Sequence, residues 1–484
     1  MHTSRIFFIA IMLMGCSHTE ESASTPKATP LPQRVYPTEP ADIGRSVDSA
    51  LTVLTGATLY PITSAPIERG YVVMEAGNIV EVGTGEAPRF DNAAYVDASG
   101  TFITPGVIDT HSHMGVYANP SVSAHSDGNE MVGPVTADVW AEHGFWPQDP
   151  SIRRALSGGV TTIQVLPGSA NLIGGRSYIA KLKPGISARE MRFPGAPQGL
   201  KMACGENPKR VYGSRGGPRT RMGNVAGYRR SFQQARNYLY SQQAYERDLA
   251  AWKKEKEANP EHDEDPPSLP GRDLEMETLA KVLNGEILVH NHCYRADEMH
   301  IMLDLAQEFG FKIRSFHHAL EAYKLKDRLA KEDVASSTWA DWWGFKMEAY
   351  DGIPHNAALL SAAGAKAVIH SDSSTDIRRL NQEAAKARRA GLDLGLEISE
   401  TEALRWITLN AAWALGIDKE VGSLEKGKHA DIVVWDKHPL SVYSKPSKVF
   451  IDGKLLFDRT KPERLSDFEI GQPHIDHKME SSHD

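Results

Sequence analysis

The sequence predicts an α/β fold, a (β/α)8 barrel carrying a small β-sandwich, and three observations predict it. Short apolar strands alternate with helical stretches from about residue 105 to 420, the rhythm of βα units around a parallel sheet. Clusters of His, Lys and Asp recur at the ends of several of those strands, the face where barrel active sites lie. Two further β-rich segments flank the barrel and can close on each other.

The chain has 484 residues, enough for one large domain and a smaller one. Hydrophobic residues make up 41% and charged residues 24%, an ordinary globular composition, and a net charge of −8 argues against nucleic acid as a partner. Residues 1–16 read as a signal segment. Arg5 precedes the apolar run Ile6 to Met14, and Gly15-Cys16 follows. Leu13-Met14-Gly15-Cys16 resembles a bacterial lipobox, with lipid on Cys16; an ordinary secretory signal is the alternative. A flexible tether, rich in Ser, Thr, Pro and Glu, is expected over 17–46. The expected location is therefore the periplasm or outer membrane of a Gram-negative cell, with membrane contact through the lipid alone. No later apolar run is long enough to span a bilayer.

Residues 47–104 carry β-like runs such as Leu51-Thr52-Val53-Leu54 and Tyr71-Val72-Val73-Met74, separated by turn signals. The pattern returns over 421–470, in Asp431-Ile432-Val433-Val434-Trp435 and Lys448-Val449-Phe450-Ile451. These ends supply the composite sandwich. Residues 207–285 interrupt the barrel rhythm. Tyr228, Phe232, Ala235, Leu239, Leu249 and Trp252 fall near a helical period, so a long amphipathic helix is predicted. It serves as a lid, an oligomer contact or a solvated hairpin.

The chemistry lies at the strand ends. In a strand, residues i and i+2 point to one side, so His111 and His113 aim two imidazoles at one point. That is chelating geometry, and imidazole with carboxylate suits zinc or a similar divalent ion. Lys201, the pair His290 and His292, the pair His317 and His318, and Asp372 end further apolar runs. The loop Gly168 to Arg176 lacks the Gly-Lys-Ser/Thr ending of a phosphate loop and reads as the rim of the site.

Thr104-Pro105-Gly106-Val107-Ile108-Asp109-Thr110-His111-Ser112-His113, Gly158-Gly159-Val160-Thr161-Thr162 and the run Gly422 to Val433 give the chain a likeness to a known group. Over roughly residues 50 to 460 it resembles the amidohydrolase superfamily, in its imidazolonepropionase-like and peptidase-like branch. The resemblance implies a distorted barrel with a composite sandwich and one or two divalent ions, zinc or manganese. It implies His111, His113, His290, His318 and Asp372 as ligands, and Lys201 as a carboxylated bridge, because an ammonium has no lone pair to offer. His292 and His317 stay open as alternatives. Asp372 is expected as the proton shuttle in hydrolysis of an amide, in a peptide-like or N-acyl amino acid substrate. Cyclic amide hydrolysis or deamination is the alternative, and a metal-free binding protein a third. Deaminases of this fold carry a Glu just after the strand-5 His, whereas Asn291 and His292 follow His290 here.

Tyr294 and Arg295 either hold a substrate carboxylate or serve a helix N-terminus, and Trp339, Trp342 and Trp343 either wall the pocket or pack in the core. Cys204 lies three residues after Lys201, and Cys293 three after His290. Equal offsets on neighbouring strand ends would bring the sulfurs together as a disulfide in an oxidising compartment; two free thiols are the alternative. A homo-oligomer is compatible with all of this.

Overall fold

The computed structural model describes residues 43–461 apart from 46, 48, 49 and 343. The expected signal segment, Cys16, most of the tether and residues 462–470 lie outside the described residues, as does Trp343.

The first segment forms β1 (Thr52–Leu59), β2 (Ile67–Glu75), β3 (Asn78–Thr84), β4 (Ala94–Asp97) and β5 (Phe102–Pro105). The barrel region contributes β6 (Val107–Ser112), β7 (Val160–Val165), β8 (Ile173–Arg176), β9 (Tyr178–Lys181), β10 (Gly199–Ala203), β11 (Leu288–Cys293), β12 (Ile313–His318), β13 (Ala335–Thr338) and β14 (Lys366–Ile369). The last segment returns as β15 (Ile432–Trp435), β16 (Pro446–Ile451) and β17 (Lys454–Asp458).

The two ends meet, as expected, but as one eight-stranded sheet ordered β17-β16-β15-β5-β1-β2-β3, with β4 branching from β1. The join is the antiparallel ladder of β5 and β15, in which Ile432 opposes Pro105 and Val434 opposes Ile103. Alternation explains the pairing: Leu54, Val72, Ile103, Ile432, Val434 and Phe450 share one buried cluster.

The middle is TIM-barrel-like, and among the described residues its strands form two sheets and not one closed ladder. Strands β10 to β14 run parallel in one six-stranded sheet, and β6, β7 and β9 form a second. The departure from an ideal barrel has a local cause. At the third position the chain makes β8 and β9, which pair antiparallel with β10 and β7 respectively. At the other seam, the Asp372 N–H donates to the His111 carbonyl at 3.0 Å where β14 and β6 face each other.

The insertion contains the predicted long helix, α1 (Arg221–Ala258), capped by the Thr220 hydroxyl, and then α2 (Leu274–Leu283). Tyr228, Phe232 and Ala235 are on its buried face. After β11 the chain forms α3 (Ala296–Phe309), and after β14 it forms α4 (Leu380–Asp393). Among the described residues no helix is long and apolar enough to cross a membrane.

One polar knot ties barrel to sheet. The fully buried Lys181 ammonium, at the end of β9, lies 3.0 Å from Asp431 Oδ1 and 2.6 Å from Asp452 Oδ1. Arg45 Nε donates to the same Asp452 oxygen at 2.9 Å. Breaking a buried pair from one side leaves a bare charge in low dielectric. Lys181→Met should therefore cost about 3–5 kcal/mol of unfolding free energy. Arg45 still faces Asp452, so most of the loss falls on Asp431. Denaturant titration measures it, and a loss under about 1 kcal/mol would mean that the knot is not fully formed.

Candidate metal centre

The site is built on strand ends. The alternation of β6 turns His111 and His113 inward, and their Nε2 atoms lie 3.3 Å apart. His113 Nδ1 is 2.8 Å from the Leu166 carbonyl. A carbonyl only accepts, so Nδ1 carries the proton and Nε2 keeps its lone pair. Asp372 Oδ1 stands 3.3 Å from His113 Nε2 and 3.6 Å from His111 Nε2. The other carboxylate oxygen is 4.0 Å from His318 Nδ1. Ligand atoms of His111, His113 and Asp372 all lie within 4.8 Å of one another, as do those of His111, His318 and His370.

Two of these residues leave the strand conformation. His318 has φ +70° and Asp372 φ +50°, left-handed values that cost free energy in residues with a Cβ. The turn swings His318 out of the alternation that would have faced it away. Its N–H is taken up by His370 Nε2 at 3.3 Å. Below, Asp109 straps β6 to the end of β14, its Oδ1 accepting from the backbone of His111 at 3.1 Å and of Ser371 at 3.0 Å. Burial pushes its carboxyl up to about 7 against those hydrogen bonds.

The two open pairs separate by depth. On β11, His290 lies level with Lys201 in the ladder, and His292 one inward-facing step above, opposite Ala203. His290 Nδ1 is 3.0 Å from His317 Nε2, and His317 Nδ1 is 3.0 Å from His111 Nδ1. His290 and His317 thus form a layer beneath the centre. Gly199 makes room for it, since a Cβ there would come within 2.9 Å of His290 Cδ2. His292 instead reaches the rim. Its Nδ1 is 2.8 Å from Ser169 Oγ in the Gly168–Arg176 loop, and its ring is 4.5 Å from that of His318. The structure therefore brings His318 together with His111 and Asp372, sets His292 beside His318 at the rim, and sets His290 deeper.

Lys201 rises from the lower layer, fully buried, and its ammonium donates to the Pro167 carbonyl at 3.0 Å. Burial pulls it down to about 7, so the neutral amine is accessible. Burial likewise holds His111, His292 and His318 well below the usual imidazole value, with Lys201 adding to it. Burial pushes Asp372 upward, but its hydrogen bond with His113 and the charges of His113, His370 and Lys201 keep it below the usual carboxylate value.

This donor set fits a divalent cation. Nε2 of His292 and Nδ1 of His318 are buried without a hydrogen-bond partner among the described residues, neutral donors beside an ionised carboxylate. Nε2 of His290 is unpartnered too, one layer down. Orphan lone pairs are costly unless something electrophilic takes them.

An aromatic wall borders the centre. Tyr294 stacks on His318 at 5.0 Å, and so does Trp339 at 4.7 Å; Trp342 continues the stack at 5.3 Å. Arg295 turns away: at the N-cap of α3 it forms a paired contact with Asp297, at 2.8 and 3.2 Å. Cys204 and Cys293 form a disulfide with Cα atoms 5.3 Å apart, one residue beyond the paired Ala203 and His292.

Sequence reading missed Asp109 and His370. Asp109 lies two residues before His111 in β6, so the alternation that paired His111 with His113 also pointed to it; His370 lies two residues before Asp372, just past the end of β14.

The family model for the amidohydrolase family matches residues 269–456. An amidohydrolase of Hapsidospora irregularis is 34% identical over 471 residues, which is 88% of this chain and 46% of the relative. An imidazolonepropionase of Thermoplasma volcanium is 28% identical over 165 residues, 32% of this chain and 39% of the relative. The chain thus spans less than half the length of either curated relative. The crystal structure of an amidohydrolase from Thermotoga maritima superposes with a TM-score of 0.73 at 35% identity, covering 84% of this chain and 100% of that one.

Proposed function

The chain belongs to the amidohydrolase family, hydrolases of carbon–nitrogen bonds, and from that premise we propose that it hydrolyses the amide bond of a peptide-like or N-acyl amino acid substrate at a divalent metal centre. The observation that carries this reading is the convergence of His111, His113 and Asp372 within 4.8 Å, beside the unpartnered nitrogens of His292 and His318. We assign the strand-5 ligand to His292 in preference to His290, on depth. Lys201, once carboxylated, would complete a second site. The arcs of strands are read as a distorted (β/α)8 barrel, with the composite sheet as its sandwich-like appendage.

Zinc or manganese, when bound, would supply a water of pKa about 7 in place of 15.7 and a Lewis acid for the scissile carbonyl. The chain's own residues do the rest. Asp372 is ionised, and its carboxylate takes the proton of the attacking water and delivers it to the leaving nitrogen. The His113 Nδ1 contact with Leu166 O fixes the ring's tautomer. Tyr294 and Trp339 cover His318 and keep bulk water from that side.

Cyclic amide hydrolysis is the second reading, favoured by the partial likeness to an imidazolonepropionase. Deamination lacks its usual Glu, since Asn291 and His292 follow His290. Export with a lipid anchor at Cys16 is proposed from the sequence alone, and the disulfide accords with an oxidising compartment.

Purified protein with zinc or manganese, tested on dipeptides, N-acyl amino acids and cyclic amides, decides the substrate class. Metal analysis should find about one to two equivalents, and Lys201→Ala should lose one ion and most turnover. Less than about a tenth of an equivalent, in protein that cannot be reconstituted, would favour the metal-free reading. Turnover of cyclic amides alone would favour the second.

A further inference from the structure

A second group of metal-ligating side chains sits at the tip of the insertion, on none of the barrel strands. Glu255 is on the last turn of α1, and His262 and Glu264 follow the turn that ends it. His262 Nε2 lies 3.7 Å from Glu255 Oε2 and 3.9 Å from Glu264 Oε2, and ligand atoms of the three all lie within 4.8 Å of one another. These separations are too long for hydrogen bonds. His262 Nε2 is shielded from solvent and has no hydrogen-bond partner among the described residues, and the side chain is only 15% exposed. A ring nitrogen buried between two carboxylates calls for an electrophile. Other groups hold the backbone that carries these ligands. The Lys256 ammonium donates to the His262 carbonyl, and Trp252 Nε1 to the Glu264 carbonyl at 2.8 Å. The His262 N–H donates to the Asn259 carbonyl at 2.9 Å. The loop is thus fastened to α1 without spending any ligand atom. Glu257, Glu261, Asp263 and Asp265 surround it in sequence and add to the attraction for a cation.

We propose that Glu255, His262 and Glu264 form a site for zinc or a similar transition-metal ion, separate from the catalytic centre, and that the ion clamps the tip of the insertion. The spacing suits it. Ligand atoms at about 2.0–2.2 Å from one tetrahedral zinc stand roughly 3.3–3.6 Å apart. The observed separations close to that with glutamate movements of about half an ångström or less. Both glutamates are free to make them, their side chains being 64% and 79% exposed. Imidazole beside carboxylate selects zinc-like ions over calcium, which takes oxygen ligands. Water supplies the fourth ligand of a tetrahedral ion. The bound ion ties the end of α1 to the segment leading to α2, where Tyr245 is the last buried residue of α1. No residue is shared with the strand-end centre, so the site stands or falls apart from the amide-hydrolysing reading.

Amide hydrogen exchange read by mass spectrometry on the full chain reports on the tip separately from the catalytic centre. Zinc should slow exchange over residues 252–266 by about 10-fold or more in the wild type. His262→Asn and Glu264→Gln should each remove that protection at the same zinc concentration. Equilibrium dialysis should find about one zinc equivalent fewer in His262→Asn than in the wild type. Calcium at equal concentration should protect little. No protection of the wild type at up to about 1 mM zinc would overturn the site and leave a protonated ring paired with both carboxylates. Protection unchanged in His262→Asn would overturn it as well. Equal protection by calcium would also overturn it, by showing plain attraction of cations to an acidic loop.

Discussion

Asp372→Asn should lower kcat by about 10³-fold or more, with the folded structure kept. The carboxylate lies close to both His113 and His318, where it can take a proton from water and return it to nitrogen. Asparagine is isosteric and cannot. It is also well suited to the backbone at this position, because φ +50° is a conformation that Asn tolerates better than most residues. The Asp372 N–H that bonds the His111 carbonyl is untouched. Loss of activity with an unchanged circular dichroism spectrum and melting temperature is the expected result. Activity within about 10-fold of wild type would assign the shuttle to another group.

Replacing both Cys204 and Cys293 by Ser should cost about 4–5 kcal/mol, since the bond closes a loop of 89 residues and constrains the unfolded chain. Both sulfurs are buried, so the hydroxyls add a desolvation cost. The bond also joins the tops of β10 and β11, one residue above the pair Ala203 and His292. Metal affinity should fall with stability as His292 gains freedom. Urea unfolding, with and without prior reduction, measures the first effect, and chelator competition the second. A stability loss under about 1 kcal/mol would mean that the unfolded state is held compact by other contacts.

Much of this was readable in advance because strands have a period of two. Alternation put His111 and His113 on one face, and equal offsets put Cys204 opposite Cys293. The same rule failed at the other pairs for definable reasons. His290 and His292 both face inward, so alternation cannot rank them; their depth is set by the ladder in which Lys201 meets His290. His317 faces inward in the strand, and His318 does so only because the chain turns left-handed there. Closure of the barrel was over-read, because nothing in the apolar runs near Ile173 and Tyr178 says that they pair antiparallel.

The join between β5 and β15 sets the order in which the molecule can be completed. Residues 102–105 leave the ribosome some 330 positions before their antiparallel partners at 432–435. Until those arrive, β5 has an open edge and the Lys181 ammonium lacks both carboxylates. Contacts this distant close slowly, and an uncovered edge invites pairing with other chains. The nascent chain therefore has to be kept from premature association while those some 330 residues are added. Truncations that remove β15 to β17 should aggregate instead of yielding a smaller folded protein.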